Sequence, residues 1–309
     1  RSPSGYPHQH QDAQKIRSNR ASKAPSRRKA GWRWYVYGIV LAMESDKPIL
    51  LSGIKPTGTP HIGNYFGALR QFVEFQTIGT HQCYFMIADY HALNSVQNAG
   101  QMRELTKELV LTFLAIGLNP DKVVIFKQSD VPAHTELAWI FDTITTVPYL
   151  MRAHAYKDAE AKKHEISVGT FNYPMLMAAD ILLYDANFVP VGKDQQQHLE
   201  MTRDIAGTFN HSYGNTLVIP EGNYDERVMI VPGTDGRKMS KSYGNFINIF
   251  LPEKQLKKQV MTIVTDSKPI EEPKDPDTCN VFALFRLLAN EAETSDLRAK
   301  YLAGGLGYG

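Results

Sequence analysis

The chain has 309 residues, 34 Lys and Arg against 32 Asp and Glu, and 43% apolar side chains. That length holds one large domain and a smaller one, and that composition excludes a mainly disordered chain. With only Cys83 and Cys279, a disulfide scaffold and a Cys-rich zinc site are excluded, a reducing compartment is the natural reading, and no apolar run reaches the ~18 residues of a membrane span.

Charge is unevenly placed. Residues 1–42 hold nine Lys and Arg against one acid, Asp12, so the remainder is net acidic. The segment is rich in Ser, Gln and Pro and has no apolar period, which predicts disorder over 1–45. Three explanations stay open: an organelle-targeting peptide, a nucleic-acid-binding arm, or residues that precede a true start at Met43.

From Pro48 the pattern changes. Ile49-Leu50-Leu51 predicts a buried strand, followed by the turn-rich run Gly53 to Pro60. A helix follows, with Ile62, Tyr65, Phe66, Leu69, Phe72, Val73 and Phe75 at helical intervals. Cys83–Ala88 predicts a second strand, 101–116 a helix, and Val123–Phe126 a third strand. Apolar strands alternating with helices mean a parallel sheet covered on both faces, with ligands at the strands' carboxyl ends. Residues 133–180 read as mainly helical, with an exposed loop from Lys157 to Glu165. Phe188–Val191 is a further strand, and Asp194 is expected to cap the helix carrying Leu199, Ile205, Ala206 and Phe209. Val228–Val231 is expected as a late strand, 233–245 as a Gly- and Lys-rich loop, and the chain beyond Leu251 as helical. His134, His154 and His164 lack metal-ligand spacing and read as surface or interface residues.

Two loops carry chemistry. Gly58-Thr59-Pro60-His61-Ile62-Gly63-Asn64 follows a buried strand and opens a helix, so its backbone N–H groups suit a phosphate. Gly63 permits close approach, while His61 and Asn64 add donors for charge developing on a leaving pyrophosphate. Gly236-Arg237-Lys238-Met239-Ser240-Lys241-Ser242 sets two lysines three apart between small hydroxyl residues, which can grip a triphosphate. Alone, the first could be a capped turn and the second a solvated one.

Together, in this order, they resemble the two nucleotide motifs of class I aminoacyl-tRNA synthetases. Between them, Tyr173-Pro174-Met175-Leu176-Met177-Ala178-Ala179-Asp180-Ile181-Leu182-Leu183-Tyr184 and Val189-Pro190-Val191-Gly192-Lys193-Asp194-Gln195-Gln196-Gln197-His198 resemble the bacterial-type tryptophanyl branch. The resemblance runs from about Ile49 to the last residue. It implies an α/β fold: a Rossmann-like parallel sheet with helices on both faces and a helical insertion, then a partial all-α C-terminal domain. The implied division is an N-terminal extension at 1–45, a nucleotide-binding catalytic domain at 46–246 with the insertion around 133–180, and a tRNA-binding helical domain at 247–309.

By the same resemblance, His61, Asn64, Lys238 and Lys241 would carry catalysis. ATP would meet Lys55, Pro56, Thr57, His61, Gly63, Asn64, Gly192, Lys193, Asp194, Val228, Lys238, Met239, Ser240, Lys241 and Ser242. Tryptophan would meet Ser52, Gly53, His91, Tyr173, Met177, Asp180, Val189, Val191 and Gln195. In that scheme Asp180 accepts the indole N–H, which fits an acceptor-only carboxylate facing a donor-only ring. Lys55 stands where many relatives carry Gln. From the residues alone, Asp180 could instead be a buried acid paired elsewhere, Met177 and the valines plain core, and His91 a satisfied core histidine.

The implied reaction joins L-tryptophan to tRNA(Trp) through tryptophanyl-adenylate, using ATP with Mg2+ carried on the nucleotide and no protein metal site. A homodimer without membrane contact is implied, cytoplasmic or, if the basic segment is a targeting peptide, organellar. A tyrosine-specific relative and a nucleotidyltransferase sharing the first loop are the alternatives. Val281–Leu288 is apolar almost all round and is expected to be buried on several sides. The ending Gly304–Gly309 resembles a mid-domain turn, so the chain is expected to lack later helices of the tRNA-binding domain.

Overall fold

The computed structural model describes residues 35–36, 39–40, 47–161, 165–192, 195–224 and 231–308. The chain divides into two compact units, Arg1–Asp46 and Lys47–Gly309. In the first, Tyr35–Val36 (β1) and Ile39–Val40 (β2) pair antiparallel, so the expected absence of regular structure fails there. The rest of the basic segment lies outside the described residues.

The second unit begins with β3 (Ile49–Ile54), whose Leu50 and Leu51 are buried. A short helix α1 (Ile62–Asn64), one wide π turn (Tyr65–Leu69) and α2 (Arg70–Ile78) follow, ending on left-handed Gly79. Next come β4 (Gln82–Ile87), buried along its whole length, α3 (Asp89–Ala92), α4 (Ala99–Ala115) and β5 (Val124–Lys127). Asn98 caps α4 by accepting from the Gln101 N–H. The insertion holds α5 (Ala133–Ile144), α6 (Val147–Leu150), α7 (His154–Ala161), α8 (Val168–Phe171) and α9 (Tyr173–Leu182). Helix α7 thus occupies the first half of the expected loop at 157–165.

Then follow β6 (Phe188–Val191), α10 (Gln196–Tyr213), β7 (Glu221–Tyr224), α11 (Glu253–Val260), α12 (Asn280–Leu288) and α13 (Glu291–Ala303). The N-cap position of α10 is Gln195; Asp194, the expected cap, lies outside the described residues. So do Val228 to Ile230 of the expected late strand. The strand that does follow β6, Glu-Gly-Asn-Tyr, carries no apolar run and is not among the expected elements. Helix α12 buries Phe282 and Leu284 but leaves Leu288 71% exposed. Phe282 packs with Cys279 and Tyr301, while Leu284, on the nearly opposite face of the helix, packs with Phe66, Val231, Met239 and Ile247, so the helix is covered on more than one side, as expected.

All sheet pairings in this unit are parallel, in the order β5-β4-β3-β6-β7. From β3 the chain moves outward to β5, then returns to the other side of β3 for β6 and β7. The reversal opens a crevice at the carboxyl ends of β3 and β6, where ligands bind in such sheets. Behind it, Leu50, Leu69, Phe72, Phe85 and Phe113 form one apolar cluster, with the Phe72 and Phe85 rings stacked at 4.3 Å. A second cluster, with Phe141, Met175, Ala178, Leu182 and Ile205, packs α5, α9 and α10 together. Each large side chain so buried contributes ~1.5–3 kcal/mol. These two cores fix the ends of β3, β6 and α9 relative to one another.

Candidate active site

His61 sits at the N-cap of α1. Its Nδ1 accepts the Asn64 N–H at 3.3 Å while Asn64 Oδ1 accepts the His61 N–H at 3.1 Å, a reciprocal capping box. An accepting Nδ1 leaves the proton of the neutral ring on Nε2. Burial first, and the nearby Lys241 ammonium second, push the His61 pKa down to about 4. At neutral pH this ring is therefore an uncharged Nε2–H donor.

The second loop is held against the first. Met239 is buried with Phe66, Val231, Ile247 and Leu284, and its Sδ accepts the Gly63 N–H at 3.3 Å. A Cβ on Gly63 would lie 2.9 Å from the His61 ring, so glycine is required for this approach. Lys241 reaches across the gap: a Cβ on Gly58 would lie 2.7 Å from its Nζ. Burial lowers the Lys241 pKa.

Asn245, which sequence reading did not single out, braces the turn from inside. Its Oδ1 accepts the Ser240 N–H at 2.8 Å, and its Nδ2 donates to Asp235 Oδ1 at 2.6 Å and to the Lys238 carbonyl at 3.2 Å. Ser240 in turn accepts the Ser242 N–H.

A cavity of about 720 Å³ lies between the two loops and the ends of β3 and β6. It is lined by Ser52, Thr57, His61, Gly63, Asn64, Val191, Gly192, Lys238, Met239, Ser240 and Lys241, all singled out in the sequence, and by Gly67, Ala68 and Gln71 of the wide turn and α2. Buried Pro56 and exposed Gly53 and Ser242 do not line it. Lys193, Asp194 and Val228 lie outside the described residues. Among the described residues, no three His, Cys, Asp or Glu side chains gather as a metal-binding group.

A second cavity of about 300 Å³ takes in Lys55, His91, Tyr173 and Gln195, with Asp158 and His198. Since Ser52 and Thr57 face the larger space and Lys55 the smaller, the two adjoin at the carboxyl end of β3. Lys55 Nζ lies 5.5 Å from the Tyr173 ring centre, over its face. The His91 ring is 4.4 Å from Tyr173, and His198 Nδ1 pairs with Gln195 Oε1 at 3.1 Å.

Met177, Val189 and Asp180 line neither cavity. Val189 is buried, Met177 is half-buried, and Asp180 is only 2% exposed. A buried carboxylate needs donors. Asp180 has two, His91 Nε2 at 2.8 Å on Oδ2 and Gln128 Nε2 at 2.7 Å on Oδ1, and His134 Nδ1 adds a close contact 2.7 Å from Oδ1, off the line of its N–H. Burial alone would raise the carboxyl pKa; the contacts from His134 and His91 outweigh it and hold it below its ordinary value. His134 is fully buried, which corrects its reading as a surface or interface residue, whereas His154 is exposed and His164 lies outside the described residues.

A doubly wound sheet with nucleotide-type loops at its switch point is shared by many enzymes, and comparison with known proteins narrows the class. Residues 43–305 match the family model for tRNA synthetases class I (W and Y), and the chain belongs to that family. The tryptophan--tRNA ligase of Fusobacterium nucleatum is 54% identical over 260 residues, spanning 84% of this chain and 79% of that protein. That of Rhodopirellula baltica is 49% identical over 260 residues, spanning 84% and 81%. Among solved structures, tryptophanyl-tRNA synthetase from Campylobacter jejuni, complexed with ADP and tryptophan, superposes with a TM-score of 0.80 at 47% identity, covering 84% of this chain and 81% of that one. A tyrosyl-tRNA synthetase from Archaeoglobus fulgidus, at 18% identity and a TM-score of 0.60, shares the fold. Within the family, the chain falls on the bacterial tryptophan branch.

Proposed function

We infer that the protein is an ATP-dependent tryptophan–tRNA ligase. The observation that carries this reading is 47–54% identity to tryptophan-specific enzymes across most of the chain, including both loops that face the larger cavity. ATP, with Mg2+ carried on its phosphates, occupies the larger cavity, and tryptophan the smaller one beside it. A tryptophan carboxylate oxygen attacks the α-phosphorus, the bond to the β-phosphate oxygen breaks, and pyrophosphate leaves. A hydroxyl of the terminal tRNA ribose then attacks the acyl carbon of the adenylate, and AMP leaves.

The side chains contribute position and charge rather than a covalent bond. His61 Nε2–H and the side-chain amide of Asn64 stabilise the pyrophosphate, with Lys238 and Lys241 closing on it from the second loop, while the backbone N–H groups of Ile62, Gly63 and Asn64 are engaged within the protein. Gly192 and Asp194 meet the ribose, and Val228 the adenine side. Tyr173 and Gln195 hold the amino acid's backbone groups, and Lys55, close to both cavities, attracts its carboxylate. Met177 and Val189 face the ring, and Asp180 takes the indole N–H, which requires the binding of tryptophan to open the packing between Asp180 and the smaller cavity. A homodimer is supported by the apolar outer face of the insertion, where Trp139 is 70% and Val147 60% exposed. A cytoplasmic site of action is consistent with its bacterial relatives; among the described residues no helix is long and apolar enough to cross a membrane. ATP–pyrophosphate exchange measured with tryptophan and tyrosine side by side tests the reading. Exchange with tryptophan is expected; exchange with tyrosine alone, or with neither, would overturn it.

A further inference from the structure

Five polar side chains far apart in sequence converge behind the smaller cavity. Gln128 is fully buried; its Oε1 accepts the N–H groups of Tyr90 and His91 at 3.1 and 3.4 Å, which turns its Nε2 toward Asp180 Oδ1. His134, also fully buried, lies against the same oxygen through Nδ1 and meets the Tyr184 hydroxyl through Nε2 at 2.8 Å. Tyr184 packs its ring against Phe126 and Tyr84. Oδ1 is thereby occupied from two sides, while among the described residues Oδ2 carries only His91. A carboxylate oxygen has room for two donors, so Oδ2 keeps one acceptor position.

We propose that Gln128, His134 and Tyr184 are positioning residues for tryptophan recognition: they pin Oδ1 of Asp180 so that the free acceptor position on Oδ2 is the one offered to the indole N–H. The proposal rests on the reading that Asp180 accepts that group. Without the pin, the carboxylate can rotate about its Cβ–Cγ bond, and its alignment with the ring is lost although its charge remains.

The test compares tryptophan with β-(3-benzothienyl)alanine, in which sulfur replaces the indole N–H, as substrates in ATP–pyrophosphate exchange. The readout is the ratio of the two kcat/KM values. In the unmodified protein the ratio favours tryptophan. His134→Phe should lower it about fivefold, with His134→Gln, which retains an N–H donor, recovering part of the loss, and KM for ATP unchanged. Tyr184→Phe removes one hydroxyl and keeps the ring packing, so it serves if His134→Phe does not fold; it should lower the ratio about twofold to threefold. A purely structural role would depress both substrates together and leave the ratio intact, and that result in Tyr184→Phe or His134→Phe would overturn the proposal. If the unmodified protein does not discriminate between the two substrates, or if Asp180→Asn keeps the full ratio, the reading of Asp180 itself fails. Discrimination by the unmodified protein that survives every positioning variant rejects the pin alone.

Discussion

The two sides of the crevice, one proposed for the nucleotide and the other for the amino acid, are built on opposite plans. On the first, exposed Lys238 and Lys241 and the His61 ring line about 720 Å³ of open space. On the second, a carboxylate is sealed at 2% exposure by two histidines and a glutamine. Phosphate charge is large and moves during reaction, so mobile cations and N–H groups suit it. A single indole N–H is a weak signal, and only a rigid, desolvated acceptor can discriminate by it.

The largest effect that would sharpen this contrast is expected from Lys241→Ala. Adenylate formation in a single turnover should slow by about 100-fold or more, with little change in ground-state ATP binding, because its contact tightens as charge develops. An unchanged rate constant would reduce the second loop to a surface turn. Asn245→Ala comes next: it strips the Ser240 N–H and Asp235 of a buried partner, and should lower unfolding stability by about 1–3 kcal/mol in denaturant titration. If stability holds and only the activation rate falls, Asn245 shapes the loop without supporting the fold.

The smallest effect concerns pH. His61 has a folded pKa of about 4, below the 6.5 of the free side chain, so between these values the unfolded chain binds the proton and the folded chain does not. Stability should therefore fall as pH drops from 6.5 toward 4, and His61→Asn should flatten that part of the profile. An identical slope in the variant would mean that other groups set it.

The same contrast explains what was legible in the sequence. Both nucleotide loops are contiguous runs whose glycines, lysines and hydroxyl residues announce themselves, and β3, β4, β5 and β6 follow from uninterrupted apolar stretches. The amino-acid side draws on residues 91, 128, 134, 180 and 184. Only their packing in three dimensions shows that His134 is buried and that Gln128 touches both Asp180 and the backbone of α3. Strand β7 escaped notice because Glu221-Gly222-Asn223-Tyr224 forms its ladder with β6 through backbone groups, for which sequence carries no pattern.

The separation of the two sides is tested most directly by calorimetric titration of Asp180→Asn with tryptophan and, separately, with ATP. The amide keeps the shape of the carboxylate and adds a donor that faces the indole N–H. Tryptophan binding should weaken by roughly 1–3 kcal/mol while ATP binding stays as it was. Equal weakening of both ligands would contradict the account and make Asp180 a residue of the fold rather than of recognition.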